Sequence, residues 1–257
     1  MIKAKKKFGQ NFLTDESVLI KIIEAMPNNK NKIVEIGPGL GDLTKMLVKY
    51  KDVKAYEVDR DLYSILKVKF IKELDSKRFE LILTDVLKVW EEGLSLDDNR
   101  YDLIANLPYY IATNIILNAF EDNNCEHIIV MVQKEVADKF VAISSQKAFS
   151  ALGVMAELLC SERKVIIKVP PESFNPPPKV DSSVIYLKKD MSKKLDDGFK
   201  TFLKTVFAQP RKTLIKNLSA KYDKNILINL FKKLDIKENI RPHEVEASLY
   251  SQIYNNL

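Results

Sequence analysis

From residue 33 to residue 187, short apolar runs alternate with amphipathic stretches, and this alternation constrains the fold more than any other feature. Runs 33–36, 53–58, 79–83, 103–105 and 128–132 have the length and branched aliphatic content of buried strands. Segments such as 40–50 and 114–120 between them carry apolar residues at helical spacing. Parallel strands need helical crossovers, so the pattern predicts an α/β, mostly parallel sheet covered on both faces. Thr14 or Asp15 can cap a first helix reaching about Met26, with Val18, Leu19, Ile22 and Ile23 on one face. Helices over 136–143 and 148–160 and strands over 165–169 and 183–187 are also expected. Residues 170–178 hold five of the ten prolines, a rigid loop between the last two strands. Beyond about residue 190 the strand signals stop, and 199–207, 211–218, 226–234 and 245–254 read as helices. Two domains follow: a sheet domain over 1–188 and a small helical domain over 189–257.

Composition narrows the class. With 46% apolar and 30% charged residues and no low-complexity tract, the 257 residues suit a soluble globular protein. The longest apolar run, 128–132, is too short for a membrane span. Residues 1–7 are basic but lead into no apolar segment, so no secretory signal is expected. Cys125 and Cys160 form no CxxC pair, which fits reduced thiols in a cytoplasmic protein. His127 and His243, the only histidines, lack companion ligands, so no metal site is expected; His127 reads as a strand cap and Trp90 as packing. Residues 1–185 carry 26 Lys and Arg against 27 Asp and Glu, whereas residues 186–257 carry 15 against 8. A near-neutral body with a basic tail domain is the electrostatic footprint of a polyanion partner.

Three of the seven glycines, Gly37, Gly39 and Gly41, directly follow the first run of the sheet. Glycine there permits a tight turn and close approach of a ligand to the backbone. A dinucleotide fingerprint would need glycine at position 42. That residue is Asp42, which disfavours a pyrophosphate, so the ligand expected is one without phosphate. Glu57 ends the second strand, where a carboxylate can accept both hydroxyls of a ribose. Asp85 follows the third, where it can accept from an adenine amine. This turn and these two acids resemble the S-adenosylmethionine site of doubly wound methyltransferases with a Rossmann-like sheet.

At the end of the fourth strand stands Asn106-Leu107-Pro108-Tyr109. An exocyclic base amine is a poor nucleophile because its lone pair is delocalised. Methylating it requires acceptors on its N–H groups and a platform for the ring rather than a strong base. Asn106 supplies an amide oxygen, Leu107 a carbonyl whose direction Pro108 restricts, and Tyr109 an aromatic face. Phe174, at the head of a proline-rich stretch, is a candidate second wall for the base, although such a residue on its own is more commonly core.

Taken in order, residues 5–13 (Lys-Lys-Lys-Phe-Gly-Gln-Asn-Phe-Leu), the 35–44 turn, Asn106 to Tyr109, Gln133-Lys134-Glu135-Val136, residues 174–182, residues 207–214 and Ile240-Arg241-Pro242 resemble the ribosomal RNA adenine N6,N6-dimethyltransferase family. The match is to its small-subunit branch, the kasugamycin-resistance methyltransferases. The resemblance implies dimethylation of two adjacent adenosines in the 3′-terminal hairpin of 16S rRNA, with S-adenosylmethionine as cofactor and the small ribosomal subunit as partner. It implies that Asn11 and Leu13 close over the cofactor, that Gly37, with Gly39 in the same turn, meets its methionine part, that Glu57 holds its ribose and that Asp85 holds its adenine. Asn106 would lie beside both methyl donor and target amine, with Tyr109 and Phe174 holding the base. Lys5, Lys6, Lys7, Arg211 and Lys212 are the expected phosphate contacts, and a cytoplasmic monomer is expected. The family commonly has Asn where this chain has Tyr110, and two arginines where it has Pro210-Arg211. The rival readings are the large-subunit, macrolide-resistance branch and a non-catalytic RNA-binding assembly factor on the same fold.

Overall fold

The computed structural model describes Lys5 and residues 9–257. Lys6 and Lys7, two of the expected phosphate contacts, lie outside the described residues. Nine strands are assigned among the described residues: β1 (Phe12–Leu13), β2 (Lys32–Ile36), β3 (Val53–Glu57), β4 (Phe79–Leu83), β5 (Tyr101–Asn106), β6 (Cys125–Gln133), β7 (Cys160–Val169), β8 (Phe174–Asn175) and β9 (Ser182–Lys189). Seven of them form a sheet in the order β4-β3-β2-β5-β6-β9-β7. Pairings from β4 through β6 are parallel, and β9 runs antiparallel to β6. Strand order reverses direction between β2 and β5, so the ligand crevice of such a sheet is expected at their C-terminal ends.

Helices α1 (Glu16–Glu24), α2 (Asp42–Leu47), α3 (Arg60–Lys69), α4 (Ile71–Asp75), α5 (Val86–Glu91) and α6 (Ala112–Glu121) lie between the strands along the chain. Each acidic cap has a visible cause: Asp15, Asp59 and Asp85 accept backbone N–H bonds from Ser17, Asp61 and Leu87. Val18, Leu19 and Ile22 of α1 join Ile33, Leu47, Val53, Ile104 and Met131 in one apolar cluster. Each such side chain contributes roughly 1.5–3 kcal/mol on burial.

The chain divides into two compact units, one of residues 1–137 and 162–191, the other of residues 138–161 and 192–257. Residues 138–161 belong with the helical unit. The division falls inside α7 (Lys134–Val141). The helical unit contains α8 (Ala151–Leu159), α9 (Asp197–Val206), α10 (Leu214–Leu218), α11 (Lys224–Lys233) and α12 (Ala247–Asn255). Ala142, Phe149 and Val154 share its core with Phe202, Leu203, Phe231 and Tyr250, which is why the segment leaves the sheet unit. No helix among the described residues is long and apolar enough to cross a membrane.

Two minor expectations are corrected. His127 does not cap a strand: it is buried in β6, with its Nδ1 2.9 Å from the Tyr186 hydroxyl. Trp90 is more than packing, since its indole N–H donates to the buried Asp122 carboxylate at 2.9 Å.

Candidate active site

A cavity opens where the C-terminal ends of β2 to β5 meet the N-terminal segment. It is lined by residues 9–13, 35–40, 56–58, 84–87 and 106–111, with Asp42, Leu43 and Leu62. Asn11, Leu13, Gly37, Gly39, Glu57, Asp85 and the whole Asn106-Leu107-Pro108-Tyr109 turn are therefore brought together here. Four carboxyl residues, Glu35, Asp42, Glu57 and Asp85, line the cavity, and none of its described lining residues is Lys or Arg. Ionised carboxyl groups with no described cation beside them disfavour phosphate and suit a ligand carrying positive charge.

Glu57 is 4% exposed at the end of β3. Its Oε1 accepts the N–H groups of Val58 and Asp59 at 2.9 and 2.8 Å. Burial raises its carboxyl above the ordinary range, against the pull of the backbone N–H groups of Asp59, Val58 and Gly39. Glu35 is buried at the end of β2, where desolvation pushes its carboxyl up to about 8 despite the Thr44 hydroxyl at 2.7 Å. Sequence reasoning assigned Glu35 no role of its own, although its place before the glycine turn was visible. Asp85 uses Oδ1 to cap α5 at Leu87 N, 3.0 Å away.

The three glycines do different jobs. Gly37 and Gly39 line the cavity, and a Cβ on Gly39 would stand 3.1 Å from the Phe12 ring, so glycine lets the N-terminal strand close down on the turn. Gly41 does not line the cavity. At φ +80 its Cβ would meet Phe70 at 2.6 Å and Leu66 at 2.9 Å. The third glycine thus serves the packing of this turn against α3.

Asn106 donates from Nδ2 to the Asn11 carbonyl at 3.2 Å, which fixes its amide beside the cavity. Leu107 donates its N–H to Met131 of β6 at 3.1 Å and anchors the turn. The Tyr109 hydroxyl lies 2.6 Å from the Ser182 Oγ, a contact that sets the plane of a half-buried ring. Phe174 is corrected. It does not line the cavity but is 4% exposed within the apolar cluster that contains Leu13 and Val169. Its backbone pairs β8 with β1, Leu13 opposite Phe174, and so braces a strand that does line the cavity.

Lys5 is also placed differently from expectation. Its ammonium lies 2.6 Å from both Asp59 and Asp61, so this cation is engaged by the protein's own carboxylates. Arg211 and Lys212 are exposed, as phosphate contacts require, but they do not open a helix. They sit in a turn before α10, with Thr213 at the helix's N-cap position. The buried Asn217 amide holds that turn, accepting Gln209 N and donating to the carbonyls of Gln209 and Thr213.

The sequence profile described as ribosomal RNA adenine dimethylase matches residues 1–257. The ribosomal RNA small subunit methyltransferase A of Aliarcobacter butzleri is 61% identical over 256 residues, covering 100% of this chain and 97% of that protein. The protein of the same name from Sulfurimonas denitrificans is 53% identical over 253 residues, covering 98% and 93%. Among solved structures, a dimethyladenosine transferase from Plasmodium falciparum superposes with TM-score 0.79 at 23% identity, covering 94% of this chain and 95% of that one. The 23S rRNA methyltransferase ErmE superposes with TM-score 0.73 at 22% identity, covering 96% and 99%. These two likenesses establish the Rossmann-like fold and leave the choice of ribosomal subunit open. The profile match spans the whole chain, and this protein belongs to the ribosomal RNA adenine dimethylase family.

Proposed function

We propose that this enzyme uses S-adenosylmethionine to dimethylate N6 of two adjacent adenosines in the 3′-terminal hairpin of small-subunit rRNA, as a cytoplasmic monomer acting on the small subunit. Small-subunit specificity is supported by the relatives named small subunit methyltransferase A, which match along the full chain. The observation that carries the chemistry is the cavity beside Asn106, with four carboxyl residues and no Lys or Arg among its described lining residues. It fits a sulfonium cofactor and is unsuited to a dinucleotide.

When bound, S-adenosylmethionine supplies an electrophilic methyl group. This chain's residues orient the two partners. Glu57, its Oε1 fixed by two N–H groups, accepts from the ribose, and Asp85 accepts from the adenine amine. Asn106 is tied through Nδ2 to Asn11, which leaves Oδ1 to accept one N–H of the target amine. The Leu107 carbonyl takes the other. Two acceptors pull the amine nitrogen toward tetrahedral geometry and aim its lone pair at the methyl, so no strong base is needed. The adenosine must leave its stack to reach this depth, and Tyr109, held by Ser182, presents a face to it. Arg211 and Lys212 contact RNA phosphates.

The test is incubation of the chain with labelled S-adenosylmethionine and small subunits from a strain lacking the modification. Nucleoside analysis is expected to give N6,N6-dimethyladenosine from the 3′-terminal hairpin. Unlabelled small subunits, with labelling of large subunits in a parallel incubation, would overturn the assignment.

A further inference from the structure

Asp59 does not line the cavity, yet two sets of contacts that close the site meet on it. It is 2% exposed. Its Oδ1 takes the Lys5 ammonium at 2.6 Å, and its Oδ2 takes the Gln10 side-chain amide at 3.0 Å. The Lys5 backbone N–H donates to Gln10 Oε1 at 2.7 Å, so Lys5 and Gln10 meet on one carboxylate. In the other direction, the Asp59 N–H donates to Glu57 Oε1 at 2.8 Å. Beyond Gln10, the segment is held at Asn11 by Asn106 and at Phe12 and Leu13 by pairing with β8. Residues 9–13 therefore form one wall of the cavity, with anchors at both ends and in the middle.

We propose that Asp59 is a positioning residue for the cofactor: gripped by Lys5 and Gln10, it clasps the N-terminal segment over the bound cofactor and ties that closure to the orientation of Glu57. The inference deepens the S-adenosylmethionine reading and rests on it. Burial of Asp59 makes the clasp matter. An exposed ion pair adds little, but removing the cation from a buried carboxylate leaves a charge uncompensated. Lys5, Gln10 and the Asp61 N–H together hold the Asp59 carboxyl below its usual range, against the opposing effect of burial. With the clasp open, the segment keeps its anchors at Asn106 and β8 but loses the one next to the ribose acid. The cofactor should then escape faster while the chemistry stays intact.

The experiment is stopped-flow dissociation of S-adenosylmethionine from the full chain, with no RNA present. Asp59→Asn keeps the helix cap, because Asn caps as well as Asp, while removing the charge. Lys5→Met removes the cation at a partly exposed position. Each variant should speed dissociation about tenfold, and the double variant should match either single one, the signature of one shared interaction. Lys5→Arg should restore a rate near wild type. Turnover at saturating cofactor should change by less than about threefold. Wild-type dissociation in Lys5→Met, or single effects that multiply in the double variant, would overturn the clasp and leave the cofactor assignment standing. A wild-type chain that did not bind S-adenosylmethionine would overturn both.

Discussion

The two units of this molecule handle charge in opposite ways. The sheet unit is balanced, with 26 Lys and Arg against 26 Asp and Glu, and it buries Glu35, Glu57, Asp59, Asp97, Asp102, Asp122 and Lys189. The helical unit carries 15 against 9 and buries no charged side chain. Burying a charge costs several kcal/mol unless partners satisfy it, so a fold retains one where geometry or chemistry needs it. Asp122 illustrates the structural case, taking donors from Trp90, Ser95, Leu96, Tyr101 and Asn124. Glu35 and Glu57 illustrate the chemical case, since they face a cavity. The helical unit keeps its charges in water, where they are screened by salt.

This contrast can be broken at three points. The largest effect is expected inside the sheet unit. Asn106→Ala removes an acceptor needed most in the transition state, so turnover should fall by about 10²–10³ while RNA affinity stays close to wild type. Single-turnover kinetics on undermodified small subunits would reveal it, and near-normal turnover would remove Asn106 from the chemistry.

Next comes Glu57→Gln, which keeps an acceptor for the Val58 and Asp59 N–H groups but removes the charge. Cofactor affinity should drop roughly ten- to hundredfold. Because the Glu57 carboxyl is raised, the wild-type free protein takes up a proton there more readily than an ordinary glutamate does. Its affinity for cofactor should therefore decline as pH falls through that raised value, and the Gln variant should lack this dependence. Calorimetric titration across pH separates the two outcomes.

The smallest effect is expected on the helical unit. Arg211→Ala with Lys212→Ala should lower the slope of log affinity against log salt by about 0.7–0.9 per lost phosphate contact. Affinity for S-adenosylmethionine should not move. An unchanged slope would show the turn to be a solvated surface, and the contrast between the units would lose its functional meaning.

Much of this was legible in local sequence. The five parallel strands were expected within three residues at each end, because apolar runs bounded by turns are a local signal. The glycine turn, Glu57, Asp85 and Asn106 were legible for the same reason: strand ends can be read from the chain, and parallel strands end on one side. The departures share a different cause. Phe174 was a candidate wall on the strength of its flanking prolines, yet its ring lies in the apolar cluster, an outcome decided by the pairing of β8 with β1 far away in sequence. Lys5 looked like one more basic residue of a polyanion-binding arm until Asp59 and Asp61 stood opposite it.

The sequence by itself determined the alternation of strands and helices, the glycine turn after β2, the Pro-containing turn at 106–109 and the basic character of the C-terminal helices. Each is written within a window of a few residues, where periodicity, turn chemistry and charge act. Only the tertiary structure decided that residues 138–161 pack with the helical unit, that Gly41 answers to Phe70 and Leu66 instead of a ligand, and that Asp59 joins the N-terminal segment to Glu57. These depend on contacts between residues tens of positions apart. Such contacts exist only after the chain has closed its loops and excluded water from one core.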